Sequence, residues 1–203
     1  AVAADAALSC KENEVTISLV KGGNVALDPG LTKINVGLGW SVRKTTGAAF
    51  DLDVCTFMLG SDGKVRSDAD FIFYNQRKSK CGCVEHMGDN RVGGYDDADD
   101  ETMKVFLPGL DADVDKIVFT ASIHEAKERG QNFGMVGDAY IRIVNEVANE
   151  EVARFDLSED AGTNTAVIFG ELYRRNGVWK FRAVGQGFDY GLLEVARSYG
   201  VNV

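Results

Sequence analysis

From Glu14 onward, short runs of β-branched and aromatic residues recur between turn-forming residues, a pattern that restricts the chain to a sheet protein. Ile34, Val36, Leu38 and Trp40 alternate with Asn35, Gly37, Gly39 and Ser41. Successive side chains of a strand leave on opposite faces, so this period of two predicts a strand buried on one side. The same reading places strands at Val15 to Leu19, Asn24 to Leu27, Phe50 to Leu59, Asp70 to Tyr74, Met103 to Leu107 and Lys116 to Ile123. It continues through Ala139 to Val144, Val152 to Leu157, Ala166 to Arg174 and Val178 to Val184. Lys21-Gly22-Gly23 and Asn176-Gly177 predict hairpin turns, because a tight hairpin needs positive φ, which glycine and asparagine supply. Only Glu125 to Arg129 and Leu192 to Tyr199 have a helical pattern, the second bounded by Gly191 and Gly200. The expected fold is therefore an all-β sandwich of two mainly antiparallel sheets with a few short surface helices. Residues 1–13 are alanine-rich and lack alternation, so they are expected to form a mobile tail before a single domain over 14–203. The first residue is not Met, which fits removal of a targeting peptide.

Between Asp89 and Glu101 the sequence reads DNRVGGYDDADDE, with six carboxylates, one carboxamide and two glycines in thirteen residues. Ca²⁺ takes ~6–8 oxygen ligands at ~2.3–2.6 Å, and a loop of this composition can wrap such an ion. It is not an EF-hand: counting from Asp89, Arg91 and Gly93 occupy positions three and five, and position twelve is Asp100 instead of glutamate. On composition alone, a solvated acidic loop that binds nothing is an equal alternative.

A second set of carboxylates changes that balance. In Phe50-Asp51-Leu52-Asp53-Val54, strand alternation puts Asp51 and Asp53 on one face and the apolar residues on the other. Two carboxylates side by side disfavour each other's ionised form, so the pair calls for a basic side chain or a metal ion. Asp68 and Asp70 repeat the spacing, but after a turn where exposure is the simpler reading.

Other chemistries find less support. A net charge of −9 disfavours nucleic acid as a partner. No apolar run is long enough for a transmembrane helix. Cys81-Gly82-Cys83 has the wrong spacing for structural zinc and no second pair, although vicinal thiols could serve redox or oxyanion chemistry; Cys55 is expected in the core. His86 and His124 leave little material for a catalytic triad, and His124-Glu125 lacks the second histidine of a HExxH motif. No catalytic residue is assigned, and the protein is expected not to be an enzyme.

Taken in order, several strings resemble the TerD family, named for tellurium resistance. They are Leu19-Val20-Lys21-Gly22-Gly23-Asn24, Val36-Gly37-Leu38-Gly39-Trp40, Phe50-Asp51-Leu52-Asp53 and Asp68-Ala69-Asp70-Phe71-Ile72-Phe73-Tyr74-Asn75. Gly88-Asp89-Asn90 with Asp99-Asp100-Glu101, Ile123-His124-Glu125-Ala126, Phe169-Gly170-Glu171-Leu172-Tyr173-Arg174 and the stretch from Trp179 to Gly187 follow. The resemblance implies a calcium-binding β-sandwich holding two ions, with ligands among Asp51, Asp53, Asp89, Asn90, Gly94, Asp97, Asp99, Asp100 and Glu101. Within 92–98, the stretch that holds Gly94, Asp96 and Asp97, the sequence departs from the family's threonine- and glycine-rich form. It further implies a stress-response adaptor that acts with other Ter-type proteins near the membrane in resistance to tellurite and other toxic agents. The expected location is cytoplasmic, with an organellar location as the alternative. The competing expectation is a thiol-dependent redox or oxyanion-handling protein using Cys81 and Cys83.

Overall fold

The computed structural model describes residues 16–42, 50–88, 99–157 and 162–203. The segment expected to be a mobile tail lies outside the described residues. Two six-stranded sheets pack in a sandwich-like arrangement, as the period-two runs predict. The first contains, in spatial order, β1 (Ile17–Leu19), β10 (Glu150–Asp156), β9 (Val136–Asn145), β3 (Lys33–Val42), β7 (Glu101–Phe106) and β6 (Val84–His86). The second contains β2 (Asn24–Ala26), β12 (Val178–Phe188), β11 (Ala166–Arg175), β8 (Lys116–Ile123), β4 (Leu52–Leu59) and β5 (Phe71–Ile72). Every pairing is antiparallel except β1 with β10.

The main core lies between the sheets and takes the inward residue of each alternation, including Ile34, Val36 and Leu38 from β3 and Leu52 and Val54 from β4. A second apolar cluster lies on the outer face of the second sheet. There Cys55, Phe57 and Val118 are covered by Val195 and Ala196 of helix α2 (Gly191–Ser198). The other helix, α1 (Ala126–Arg129), is a single turn after β8. Asn176 and Gly177 both have positive φ, 53° and 77°, as the two-residue β11–β12 hairpin requires.

The expected hairpin at Lys21-Gly22-Gly23 does not form. β1 joins the first sheet and β2 the second, so these residues cross between layers. The Gly22 amide donates to the Ala183 carbonyl, and the Ala183 amide to that of Gly23, so β12 holds this turn. The strand expected over Asp70 to Tyr74 shortens to β5 at Phe71–Ile72, because Asp68–Asp70 form a 3₁₀ turn.

Candidate functional site

Strand alternation in β4 turns Phe50, Leu52 and Val54 into the core and leaves Asp51 and Asp53 half-buried. β5 pairs with β4 only at Thr56 and Phe57, so the Val54 amide, on the same edge as Thr56, has no strand partner. The Glu101 carboxylate, from the first residue of β7 in the opposite sheet, fills that place: the Val54 N–H donates to Oε2 at 3.0 Å. This contact joins the two sheets and brings the acids of β4 and those preceding β7 to one end of the sandwich. His86, the last residue of β6, lies 3.3 Å from the same Oε2 through Nε2, and both side chains are almost fully buried. Its Nδ1 accepts the Gly88 N–H at 3.2 Å, so the ring's N–H is on Nε2, the nitrogen that faces Glu101.

Asp100 and Asp99 turn in different directions. The Asp100 carboxylate accepts the Trp40 N–H at 2.8 Å, beside the irregularity between Gly39 and Ser41 in the β3–β9 pairing. Asp99 lies against Gly37 and accepts from Arg142 Nε at 2.7 Å and from the Tyr140 hydroxyl at 3.1 Å. A Cβ on Gly37 would approach Asp99 Oδ2 to 2.0 Å, and one on Gly39 would approach the Tyr140 ring to 2.4 Å. The glycines of Gly37-Leu38-Gly39 are therefore needed to admit these side chains. Burial, followed by the Asp99 charge, pushes the Tyr140 phenol up to about 12. Burial opposes the Arg142 charge, but the hydrogen bond and charge of Asp99 outweigh it and leave the guanidinium more firmly protonated than usual.

On the β4 side, Asp53 Oδ2 lies 3.4 Å from His124 Nδ1, and the His124 N–H donates to the Asp51 carbonyl at 2.8 Å. Asp51 Oδ1 is buried and has no hydrogen-bond partner among the described residues. Such an oxygen forfeits hydration without compensation, a cost of about 1–3 kcal/mol that a cation would relieve. The Cys55 thiol, next along the same face, is pushed well up by burial and then by the Asp53 and Glu101 charges.

Of the sequence-predicted ligands, Asp51, Asp53, Asp100 and Glu101 thus reach the same end of the sandwich. Asp99 is held by Arg142. Asp89, Asn90, Gly94 and Asp97 lie outside the described residues. Among the described residues, no three acid, histidine or cysteine side chains converge as a metal-holding group. The carboxylate oxygens at this end, one of them unpartnered, nevertheless fit a hard cation in chemical type. Sequence reasoning did not find the Val54 amide, the His86 anchor or the Arg142–Asp99 pair, because each depends on contacts distant in sequence.

The other two thiols among the described residues, Cys81 and Cys83, are elsewhere. Cys81 Sγ is 3.4 Å from Ser79 Oγ, and the Cys83 thiol donates to the Cys81 carbonyl at 3.4 Å. Burial first, then the neighbouring Cys81, raises the Cys83 thiol to about 11, so it stays protonated near neutral pH.

Comparisons with known proteins agree with the order of the sequence motifs. The family model for the TerD domain matches residues 15–199. The chain is 54% identical over 191 residues to a tellurium resistance protein TerD from Alcaligenes sp, covering 93% of this chain and 99% of that protein. It is 51% identical over 193 residues to general stress protein 16U of Bacillus subtilis (strain 168), covering 93% of this chain and 100% of that protein. Among solved structures, a homologue of telluride resistance protein (TerD) from Streptomyces coelicolor A3(2) superposes with a TM-score of 0.67 at 20% identity, covering 82% of this chain and 96% of that one.

Proposed function

The chain belongs to the TerD family, and on that premise we propose that it is a calcium-binding stress-response adaptor. The observation that carries the calcium reading is the buried, unpartnered Asp51 Oδ1 at the end of the sandwich where Asp53, Asp100 and Glu101 also lie. In this reading Asp51, Asp53 and Asp100 supply oxygens from the sandwich. Asp89, Asn90, Gly94 and Asp97 supply more from the acid-rich sequence between Gly88 and Asp99. Two bound ions would offset the mutual repulsion of these acids and tie the 89–101 segment to β4. Glu101 contributes through position, since Val54 and His86 already engage its Oε2. Asp99 contributes least, because Arg142 balances its charge.

The surface ordered in this way would receive other Ter-type proteins, in resistance to tellurite or general stress. Association with a membrane would run through those partners, since no helix among the described residues is long and apolar enough to cross one. The redox alternative is weakened by the protonated Cys83 thiol. Calcium calorimetry on Asp51→Asn and Asp100→Asn is the test. Each should weaken binding by about tenfold or more, as expected for loss of a ligand charge. Wild-type affinity in both variants would remove these residues from the site.

A further inference from the structure

Cys81 and Cys83 stand on either side of Gly82 in the turn between the paired residues Lys78 and Glu85, and the calcium reading uses neither of them. Hydrogen bonds fix the backbone of this turn. The Ser79 N–H donates to the Val84 carbonyl at 2.9 Å, the Gly82 N–H to the Ser79 carbonyl at 2.8 Å, and the Phe106 N–H of β7 to the Cys83 carbonyl at 2.8 Å. Gly82 takes a φ of 73°, a left-handed value open to glycine without steric cost. The two sulfurs that flank it lie within hydrogen-bonding reach of each other.

Two further contacts shape the space around the pair. A Cβ on Gly109 would approach Cys83 Sγ to 2.6 Å, so the glycine leaves the room that this sulfur occupies. The hydroxyl of buried Ser79 accepts the Val84 N–H at 3.0 Å and lies 3.4 Å from Cys81 Sγ. With Val84 as its donor, the hydroxyl keeps its own proton for a Cys81 thiolate. Cys83 is 8% exposed, whereas Cys81 lines a cleft of about 580 Å³ beside Arg66, Lys80, Asp111 and Asp113, and this cleft opens the pair to solvent.

Sulfur is a soft donor, and the number of donors selects the ion. Among the described residues, no third acid, histidine or cysteine joins the two thiols as a metal-holding group. A structural Zn²⁺ site calls for four such ligands, so zinc is poorly served here. Cu(I), a soft closed-shell ion, is satisfied by two thiolates. We propose that Cys81 and Cys83 bind one Cu(I) ion as a two-sulfur site reached through this cleft. On binding, each thiol releases its proton to solvent and two sulfur–copper bonds form, with no change in the oxidation state of metal or sulfur. The inference does not rest on the calcium reading and shares no residue with it.

The test titrates the fully reduced chain, without oxygen, against the coloured Cu(I)–bicinchoninate complex. Cys10→Ser, which removes the thiol outside the described residues, is run beside the wild type. Cys10→Ser should withdraw one Cu(I) per chain with the wild-type affinity of this site, X-ray absorption should report two sulfur neighbours, and the elution volume in gel filtration should not change. In that background, Cys81→Ser and Cys83→Ala should each weaken Cu(I) by about a hundredfold or more, the advantage of two ligands held on one scaffold over one. Equimolar Zn²⁺ should not displace the ion. Cys81→Ser, at a partly exposed position, should keep the wild-type Tm and calcium calorimetry, and the X-ray absorption result needs no variant at either cysteine of the pair. Undiminished Cu(I) binding in Cys81→Ser, loss of the site in Cys10→Ser, a single sulfur neighbour, or copper-dependent dimerisation would overturn the proposal.

Discussion

Replacing Glu101 by alanine removes one carboxylate that serves two elements at once. The Val54 amide loses its acceptor at 3.0 Å and the His86 ring loses its partner at 3.3 Å, both in buried surroundings. Each stranded buried polar group costs about 1–3 kcal/mol, so the variant should lose about 3 kcal/mol or more. For a domain of this size that corresponds to a fall in Tm of roughly 6–12 °C. Glu101→Gln keeps an oxygen for Val54 and should lose about 1 kcal/mol, near the worth of exchanging a charged for a neutral hydrogen bond. Thermal unfolding in chelator separates this effect from metal binding. In a double-mutant cycle, Glu101→Ala and His86→Ala should couple by about 1–2 kcal/mol. If Glu101→Ala loses less than about 1 kcal/mol, the cross-sheet contact does not hold this end together and the reasoning fails.

Two other outcomes follow from the titration shifts. Burial, then the charge of Glu171, raises the Tyr199 phenol from 10.0 to about 12. Folding therefore binds this proton more tightly, and the stabilisation is complete below about pH 10 and is lost as pH rises toward about 12. The stability difference between the wild type and Tyr199→Phe should change through that window in alkaline unfolding curves; a constant difference would refute the shift. In thiol labelling near pH 8, among the cysteines of the described residues half-exposed Cys81 should react first, Cys83 slowly and Cys55 only on unfolding, whereas fast Cys83 labelling would revive the redox reading.

The sheets were legible because alternation is local. β3, β8 and β11 follow their apolar patterns closely, and Asn176-Gly177 marks its turn. The β1–β2 connection was not legible, since its turn residues suit a hairpin equally well and the deciding bonds come from Ala183, far along the chain. β6 spans only three residues, too few for a pattern.

Within the site, the shared face of Asp51 and Asp53 follows from alternation alone. Glu101 carried a signal that the acidic run concealed: it is in register with Met103 and Val105, the inward residues of β7, which is why its carboxylate reaches the core edge. Asp99 carried none, because its partner Arg142 lies 43 residues away on a strand two places across the sheet.

The calcium claim is tested most directly by isothermal titration calorimetry of the chelator-treated chain with Ca²⁺, run beside Mg²⁺. Mg²⁺ demands a tighter octahedron and gives up its waters reluctantly. The account predicts saturable heat with a stoichiometry of two for Ca²⁺, much weaker binding of Mg²⁺, and a Tm that rises with free Ca²⁺ as linkage requires. The absence of both heat and thermal shift at millimolar Ca²⁺ would contradict it.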